Sequence, residues 1–327
     1  MANRDLPLRR NKLIEVASFS KHDVRKWDEF VINSTVPNLL FMRNYINYHE
    51  DKFIDRSLMC FQSNELVAVF PAAESPVNAN EVISHPGLSF GGLISKRSGS
   101  QDTVEACLDA ISKYFSESGY KTFTYKAVPH IYHTRPFEQD EYFLWKQGFV
   151  CNRIDLSVSI NLSRRIEFGS RRLRGIKKAG STLSLSRNMF FIESFWRILE
   201  NNLKNRHSAT PTHSLEEIRL LNSRFPKDII PIFAVKDEKC VGGVIIYRSP
   251  QVHHAQYIAA SNEGQNLGAL DFIFDEAVKS AREDGAAFFD FGISTTNNGR
   301  DLNEGLYSFK YQFGGGGTCQ RFYSKEL

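Results

Sequence analysis

Hydrophobic positions along the chain switch period in a repeating order, two-residue alternation giving way to helical spacing and back. "KLIEVASF" alternates briefly and predicts a strand; in "SKHDVRKWDEFVINS" Val24, Trp27, Phe30 and Val31 recur at helical spacing. "RSLMCFQSNELVAVFPAAES" reads as two strands about a Ser-Asn turn. "VISHPGLSFGGLIS" is punctuated by Gly and Pro, which excludes a plain central strand. In "SQDTVEACLDAISKYFSESG" Val104, Leu108, Ile111 and Phe115 form one helical face, and Gly119 stops the helix. "YKTFTYKAV" is the next strand, ended by Pro129.

The same order then returns. "FFIESFWRILENNLKNR" and "SLEEIRLLNSRF" predict helices, and "IIPIFAVKDEKCVGGVIIYRSP" a hairpin turning at Asp237 and Glu238. "VHHAQYIAASNEGQNLGALDFIFDEAVKSAREDG" reads as strand, Gly-containing loop and helix ending at Gly285, with "AAFFDFGIS" as the closing strand. Each half is hairpin, third strand or loop, helix, strand: a repeat of pattern without repeated letters. It predicts an α+β chain of two similar domains, residues 1–155 and 156–327, joined between Gly148 and Gly180. A basic helix over 170–179, "RRLRGIKKA" with its preceding serine, introduces the second.

Composition narrows the class. Of 327 residues 42% are hydrophobic and 24% charged, with 26 Phe, as in a folded chain long enough for two domains. A net charge of +4 is too small to argue nucleic-acid binding by itself. Cys60, Cys107, Cys151, Cys240 and Cys319 form no CxxC pair, which favours reduced thiols over a disulfide framework or zinc site. No apolar run approaches a membrane-spanning length of about 20 residues. The N-terminus shows basic residues but no apolar signal core, so a cytoplasmic chain is expected.

Several polar groups stand out. Asp290 follows "AAFF" at a strand end, where a carboxylate can bind an amine or take its proton, or can simply cap the loop that follows. "STTNNGRDLN" adds Arg300 and Asn303. Read as a helix, the next segment puts Leu302, Leu306, Phe309 and Phe313 on one face, with Lys310 near its boundary. Lys310 is then either a snorkelling surface lysine or a desolvated cation for a phosphate or developing oxyanion. The helix starting near Leu267–Leu270, with Gly264, Gly268 and Ala269 before or in its first turn, offers N–H groups for phosphate, or is an ordinary helix start. "HHAQY" puts His254 and Gln256 on one strand face and His253 and Tyr257 partly on the other, one face lining a cleft. "SHPGLSFGGL" offers His85 and Ser89, with a Gly-rich bulge as the alternative. "YKAVPHIYHTRPF" places Lys126, His130, Tyr132 and His133 by a proline bend, a binding loop or a packed turn. His130 and His133 lack a third ligand of fitting spacing, so no metal is expected.

The order of elements, with "FFDFGI" and "GLYSFKYQFGG" near the end, "RRLRGIKKA" before the second half and "LVAVFPA" in the first, resembles the Fem-type (FemAB-like) branch of the GNAT acyltransferases. The resemblance implies two tandem GNAT-like domains, each a mixed, mostly antiparallel sheet flanked by helices. The first is the acceptor side and the second the acyl-donor side. It further implies transfer of an acyl group to an amine, with acyl-CoA as co-substrate and aminoacyl-tRNA as the alternative donor. The acceptor is a small-molecule or lipid-linked amine, on a cell-envelope glycan or peptidoglycan precursor. Lys310 falls on the Lys of the family's Phe-Lys pair, which contacts the donor, and makes Lys310 and Asp290 the expected catalytic residues. Tyr257, Gln256, Gly264, Gly268 and Ala269 become the expected donor-binding set. His85, Ser89, Lys126, His130, Tyr132, Arg300 and Asn303 become the substrate-binding set.

One departure is visible. "SNEGQNLGAL" differs from the usual phosphate signature Arg/Gln-x-x-Gly-x-Gly/Ala, since Gly264 and Gly268 are four apart and neither Arg nor Gln precedes Gly264 by three. A non-catalytic GNAT-fold protein holding a nucleotide or envelope-precursor ligand is the alternative. An RNA-binding module needs a continuous basic stripe the sequence does not show.

Overall fold

The computed structural model describes residues 13–97, 101–164, 166–207 and 209–327. The first half contains β1 (Glu15–Ser18), α1 (Val24–Ile32), α2 (Arg43–Ile46), β2 (Leu58–Gln62) and β3 (Glu65–Phe70). Three short strands follow, β4 (Ala73–Glu74), β5 (Glu81–Ile83) and β6 (Ile94–Ser95), then α3 (Gln101–Glu117), β7 (Thr122–Lys126) and α4 (Gln139–Lys146). A long strand, β8 (Val150–Asn161), leads into α5 (Ser170–Gly180), β9 (Ser184–Ser186), α6 (Ile192–His207) and α7 (Leu215–Arg224). Next come β10 (Ile229–Lys236), β11 (Lys239–Arg248), β12 (Val252–Ala260), α8 (Asn262–Leu267) and α9 (Ala269–Glu283). The chain closes with β13 (Phe288–Ile293), the short pair β14 (Thr295–Thr296) and β15 (Asp301–Leu302), α10 (Glu304–Tyr311) and β16 (Gly316–Glu326).

Local chemistry explains the predicted pieces. Ser63 and Asn64 (φ 51° and 64°) close β2–β3, and Asp237 and Glu238 (φ 45° and 63°) close β10–β11, both two-residue turns in the left-handed region that suits the strand twist. Val104, Leu108, Ile111 and Phe115 of α3 are buried as their spacing predicts. Each half also repeats one unit: a strand, a crossover helix and a parallel strand, β5–α3–β7 and β12–α9–β13.

Two long strands went unread, and they join the halves. β8 follows the first unit yet pairs antiparallel with β13 of the second, and β16 follows the second yet pairs antiparallel with β7 of the first. β8 and β16 also pair with each other, which makes one sheet of order β4-β5-β7-β16-β8-β13-β12-β11-β10-β9. β13 is therefore central rather than closing. A boundary between residues 155 and 156 falls inside β8, and one core cluster packs Trp27, Phe41 and Ile131 of the first half with Trp196 and Phe233 of the second. β1-β2-β3-β6 form a separate sheet. Among the described residues no helix is long and apolar enough to cross a membrane.

Candidate active site

β8 carries Arg153, Asp155, Ser157 and Ser159 in alternation with Ile154, Leu156, Val158 and Ile160. Such alternation on a half-solvated sheet ordinarily turns the polar set to water. Here the polar set is buried as well: Asp155 is 1% exposed against 46% for its neighbour Ile154, while Val158 and Ile160 are buried on the other face. Residues opposite each other on paired strands share a face, and the register extends the polar row. Asp155 and Ser157 stand opposite Gln320 and Thr318 of β16, and Phe322 stands between Arg153 and Lys126. On the other side Asp290 of β13 stands between Ser159 of β8 and His254 of β12. Much of this row floors a cavity of about 1240 Å³, walled by loops of the first half and by α5, α9 and α10 of the second.

The cavity enters a gap in the sheet. Parallel β12 and β13 pair only through Val252–His254 against Phe288–Asp290, then part. A bulge at Gln256, between the pairs Ile245–Tyr257 and Ile246–Ala255, bends β12 at the same level. After β12, Ser261 caps α8 by accepting from the Gly264 N–H at 3.1 Å, and Gly268 (φ 78°) turns the chain into α9. No side chain caps α9, and its first turn borders the cavity. α5 is fastened alongside: Arg172 pairs with Asp271 at 2.6 Å, and Lys178 donates to the Asn266 carbonyl at 2.8 Å. Seven Lys and Arg and three Asp border the cavity, a formal excess of four positive charges.

At the gap Asp290 is buried and accepts from the Tyr132 hydroxyl at 2.7 Å, from His254 Nδ1 at 2.8 Å, from the Gly292 N–H at 3.0 Å and from Ser157 Oγ. Burial alone would raise its carboxyl, but His254 and the hydrogen bonds from His254, Ser157 and Tyr132 outweigh it and hold the group down at about 2. Lys310, also buried, donates to the carbonyls of Gly292 at 2.8 Å and Ile293 at 2.7 Å. Burial lowers its ammonium to about 8, against the pull of Asp290. Lys126 donates to the carbonyls of His85 at 3.3 Å and of Leu88, and burial with the Arg153 charge lowers it to about 7, against Asp155.

The GNAT acetyltransferase domain family matches residues 164–310. A crystal structure of FemX superposes with a TM-score of 0.68 at 12% identity, over 96% of this chain and 97% of that one. A tandem GNAT protein from the clavulanic acid biosynthesis pathway gives 0.56 at 11%, over 96% and 98%. L-PGS from Bacillus licheniformis gives 0.59 at 12%, over 93% and 91%. The chain has the tandem GNAT fold. No curated protein matches it in sequence.

Within this tandem GNAT fold, Lys310, Asp290, Lys126, Tyr132, Ser89, Gln256, Tyr257 and Gly268 border the one cavity. The other expected residues stand elsewhere. His85 is buried and stacks on His49 at 5.0 Å, and burial drives its imidazole well below the usual range. His130 is exposed outside the cavity, with its ring edge on Phe288. Arg300 lies exposed at the β14–β15 turn, and Asn303 caps α10 by accepting from the Leu306 N–H at 3.0 Å. Gly264 packs where a Cβ would strike the Val241 carbonyl, and the Ala269 methyl is buried in the core, which leaves only the backbone of these two for a ligand. Leu302 and Leu306 are 42% and 37% exposed, so the expected apolar face of α10 is core only at Phe309 and Phe313.

Sequence reasoning missed the polar row of β8 and β16, and gave His254 a face but no partner. The alternation of polar and apolar residues along β8 was the available signal. A second signal lies in the phosphate loop: Gln265 stands three residues before Gly268, so the signature runs one turn later than a reading from Gly264, with Leu270 at its last position.

Proposed function

We propose that the protein is an N-acyltransferase that brings an acyl-CoA and an amine together in the cavity between its halves. The observation that carries this reading is the parting of β12 from β13 over the uncapped N-terminus of α9. A thioester carbonyl laid in that gap lies against unpaired strand edge, and phosphates at α9 meet free N–H groups and the positive end of the helix dipole. Lys178 and Arg171 border the same end of the cavity. The volume of about 1240 Å³ exceeds what one ligand ordinarily fills, which suits two substrates meeting.

In this reading the donor lies on the second half, and the acceptor enters over Ser89, Tyr132 and Lys126 of the first. Lys310 supplies a cation close to the gap for the developing oxyanion. Acyl-CoA is favoured over aminoacyl-tRNA because a net charge of +4 is modest for a surface that must hold tRNA. An amine on a cell-envelope glycan or peptidoglycan precursor, free or lipid-linked, is the proposed acceptor, and the chain acts in the cytoplasm. The rival is a protein that binds such a ligand without turnover; a carboxylate–imidazole pair at the strand gap speaks for chemistry.

Calorimetric titration with acetyl-CoA tests the donor side. Binding that weakens about tenfold or more in Lys178→Ala is expected, since charge-assisted contacts contribute roughly 1.5–3 kcal/mol. Absence of binding by any CoA ester, together with tight and steeply salt-dependent binding of aminoacyl-tRNA, would transfer the donor role to tRNA.

A further inference from the structure

We propose that His254 is the proton acceptor of the cleft and that Asp290 is its positioning residue. This rests on the acyl-transfer reading above and assigns its chemistry to a residue outside the motifs that suggested it. A carboxylate offers about four lone-pair positions. Ser157 Oγ and the Gly292 N–H occupy Oδ1, and the Tyr132 hydroxyl and His254 Nδ1 occupy Oδ2. An incoming ammonium finds no vacancy there, and a carboxyl held at about 2 takes no proton near neutrality.

The same saturation defines the imidazole. Ionised Asp290 only accepts, so the proton between the two groups resides on His254 Nδ1, and the Nε2 of the neutral ring carries the lone pair. The 3.2 Å contact between Tyr132 Oη and Nδ1 is consistent with this, since the tyrosine proton is already directed at Asp290. The His254 side chain is 19% exposed and borders the cavity. A Cβ on Gly292 would lie 3.3 Å from Cε1 and 3.9 Å from Nε2, so the glycine leaves that ring edge open. The gap between β12 and β13 begins at the His254–Asp290 pair, which sets the base where the reading places the carbonyl.

The surrounding charges are few. Asp290 and Tyr132 touch the ring, Ser157 and Lys310 act on it through Asp290, and Tyr247 stands opposite on β11, buried and kept neutral by that burial. The acceptor enters as an ammonium, loses one proton to solvent and attacks the acyl carbon as a neutral amine. The C–N bond forms while a second nitrogen proton passes to His254 Nε2. Collapse of the tetrahedral adduct breaks the C–S bond, and the imidazolium returns that proton to the departing thiolate.

Two measurements on the full chain test this. Ring-nitrogen NMR of the neutral wild-type protein, assigned with His254→Gln, is expected to show the His254 proton on Nδ1 and Nε2 bare, with the preference lost in Asp290→Asn. A proton on Nε2 in the wild type would overturn the proposal without any substrate. Acyl transfer from acetyl-CoA to a panel of primary amines is expected to fall about a hundredfold to ten-thousandfold in kcat for His254→Gln, with acetyl-CoA affinity retained. Asp290→Asn is expected to slow transfer and to shift the acidic limb of the pH profile, while the exposed His130→Ala matches wild type. A folded His254→Gln protein with wild-type rate and pH profile overturns this inference alone. A wild-type protein that transfers from no donor overturns the acyl-transfer reading and this inference with it.

Discussion

The Lys310 ammonium is hydrogen-bonded to the Gly292 carbonyl at 2.8 Å, which fastens α10 to the end of the strand that bears Asp290. Lys310→Met keeps the unbranched stem and removes the cation and both carbonyl contacts. Loss of the two hydrogen bonds costs on the order of 1–3 kcal/mol, offset in part because a desolvated charge also disappears. Activity is expected to fall roughly tenfold to a thousandfold in kcat and kcat/KM alike. Because burial lowers the Lys310 ammonium to about 8, the wild-type rate is expected to decline above that pH as the cation is lost, and this limb should be missing from the Met variant. Equal rates for the two proteins across the profile would remove Lys310 from the chemistry.

The exchange of β8 and β16 predicts that neither half folds alone. A chain ending at Gly315 lacks β16 and leaves β7 and β8 with unpaired edges inside the sheet. The truncated protein, and the fragment 1–155, are expected to show no cooperative unfolding transition by circular dichroism, whereas the full chain unfolds cooperatively. A cooperative melt of fragment 1–155 would contradict the shared sheet.

How much of this was legible in the sequence depends on whether the determinants are local. Ser63-Asn64 and Asp237-Glu238 announce their hairpins within four residues, and α3 announces itself by its own spacing. β16 pairs with β7 almost 200 residues upstream, so nothing near it in sequence reveals that it is a strand, and its glycines argue against one. His254 and Asp290 are 36 residues apart and meet only because the α9 crossover sets β12 beside β13. The burial of Asp155 is the same kind of fact: its alternation was visible, but Thr295, whose hydroxyl donates to it, lies 140 residues away.

Gly175 allows α5 to lie against the first turn of α9. A Cβ there would strike the Asp271 carboxylate that pairs with Arg172. Replacing a helical glycine by alanine ordinarily gains about 1 kcal/mol, but forcing a buried contact apart costs about 1–3 kcal/mol. Gly175→Ala is therefore expected to lower Tm and to weaken acetyl-CoA binding. A raised Tm with unchanged binding would show that α5 does not set the donor end of the cavity.

Acid should unfold the protein early. Burial lowers His133, His213 and His253 to about 4, below the usual 6.5. Between those values the unfolded chain takes up protons that the folded chain refuses, so stability is present above about 6.5 and is lost as pH falls toward 4. His49 and His85, also lowered by burial, act in the same direction; Asp140, raised by burial to about 7, opposes them, together with Asp28, Asp109, Asp228, Asp271 and Asp275, which burial also raises. The urea midpoint is expected to drop as pH falls from about 6.5 to about 4.5, and to drop less in His213→Phe. A midpoint that rises on acidification would contradict the assigned burial.

In the proposed function the cleft between the halves joins an acyl group to an amine. Its most direct test is mass spectrometry of the products formed by the full-length protein with acetyl-CoA and a panel of primary amines, among them amino sugars and peptidoglycan-precursor amines. An amide product and free CoA in equal amounts are expected, both lost in His254→Gln. Saturable binding of acetyl-CoA or of an acceptor with neither amide nor free CoA formed, and none formed when aminoacyl-tRNA replaces acetyl-CoA, would contradict it and leave a binding protein in its place.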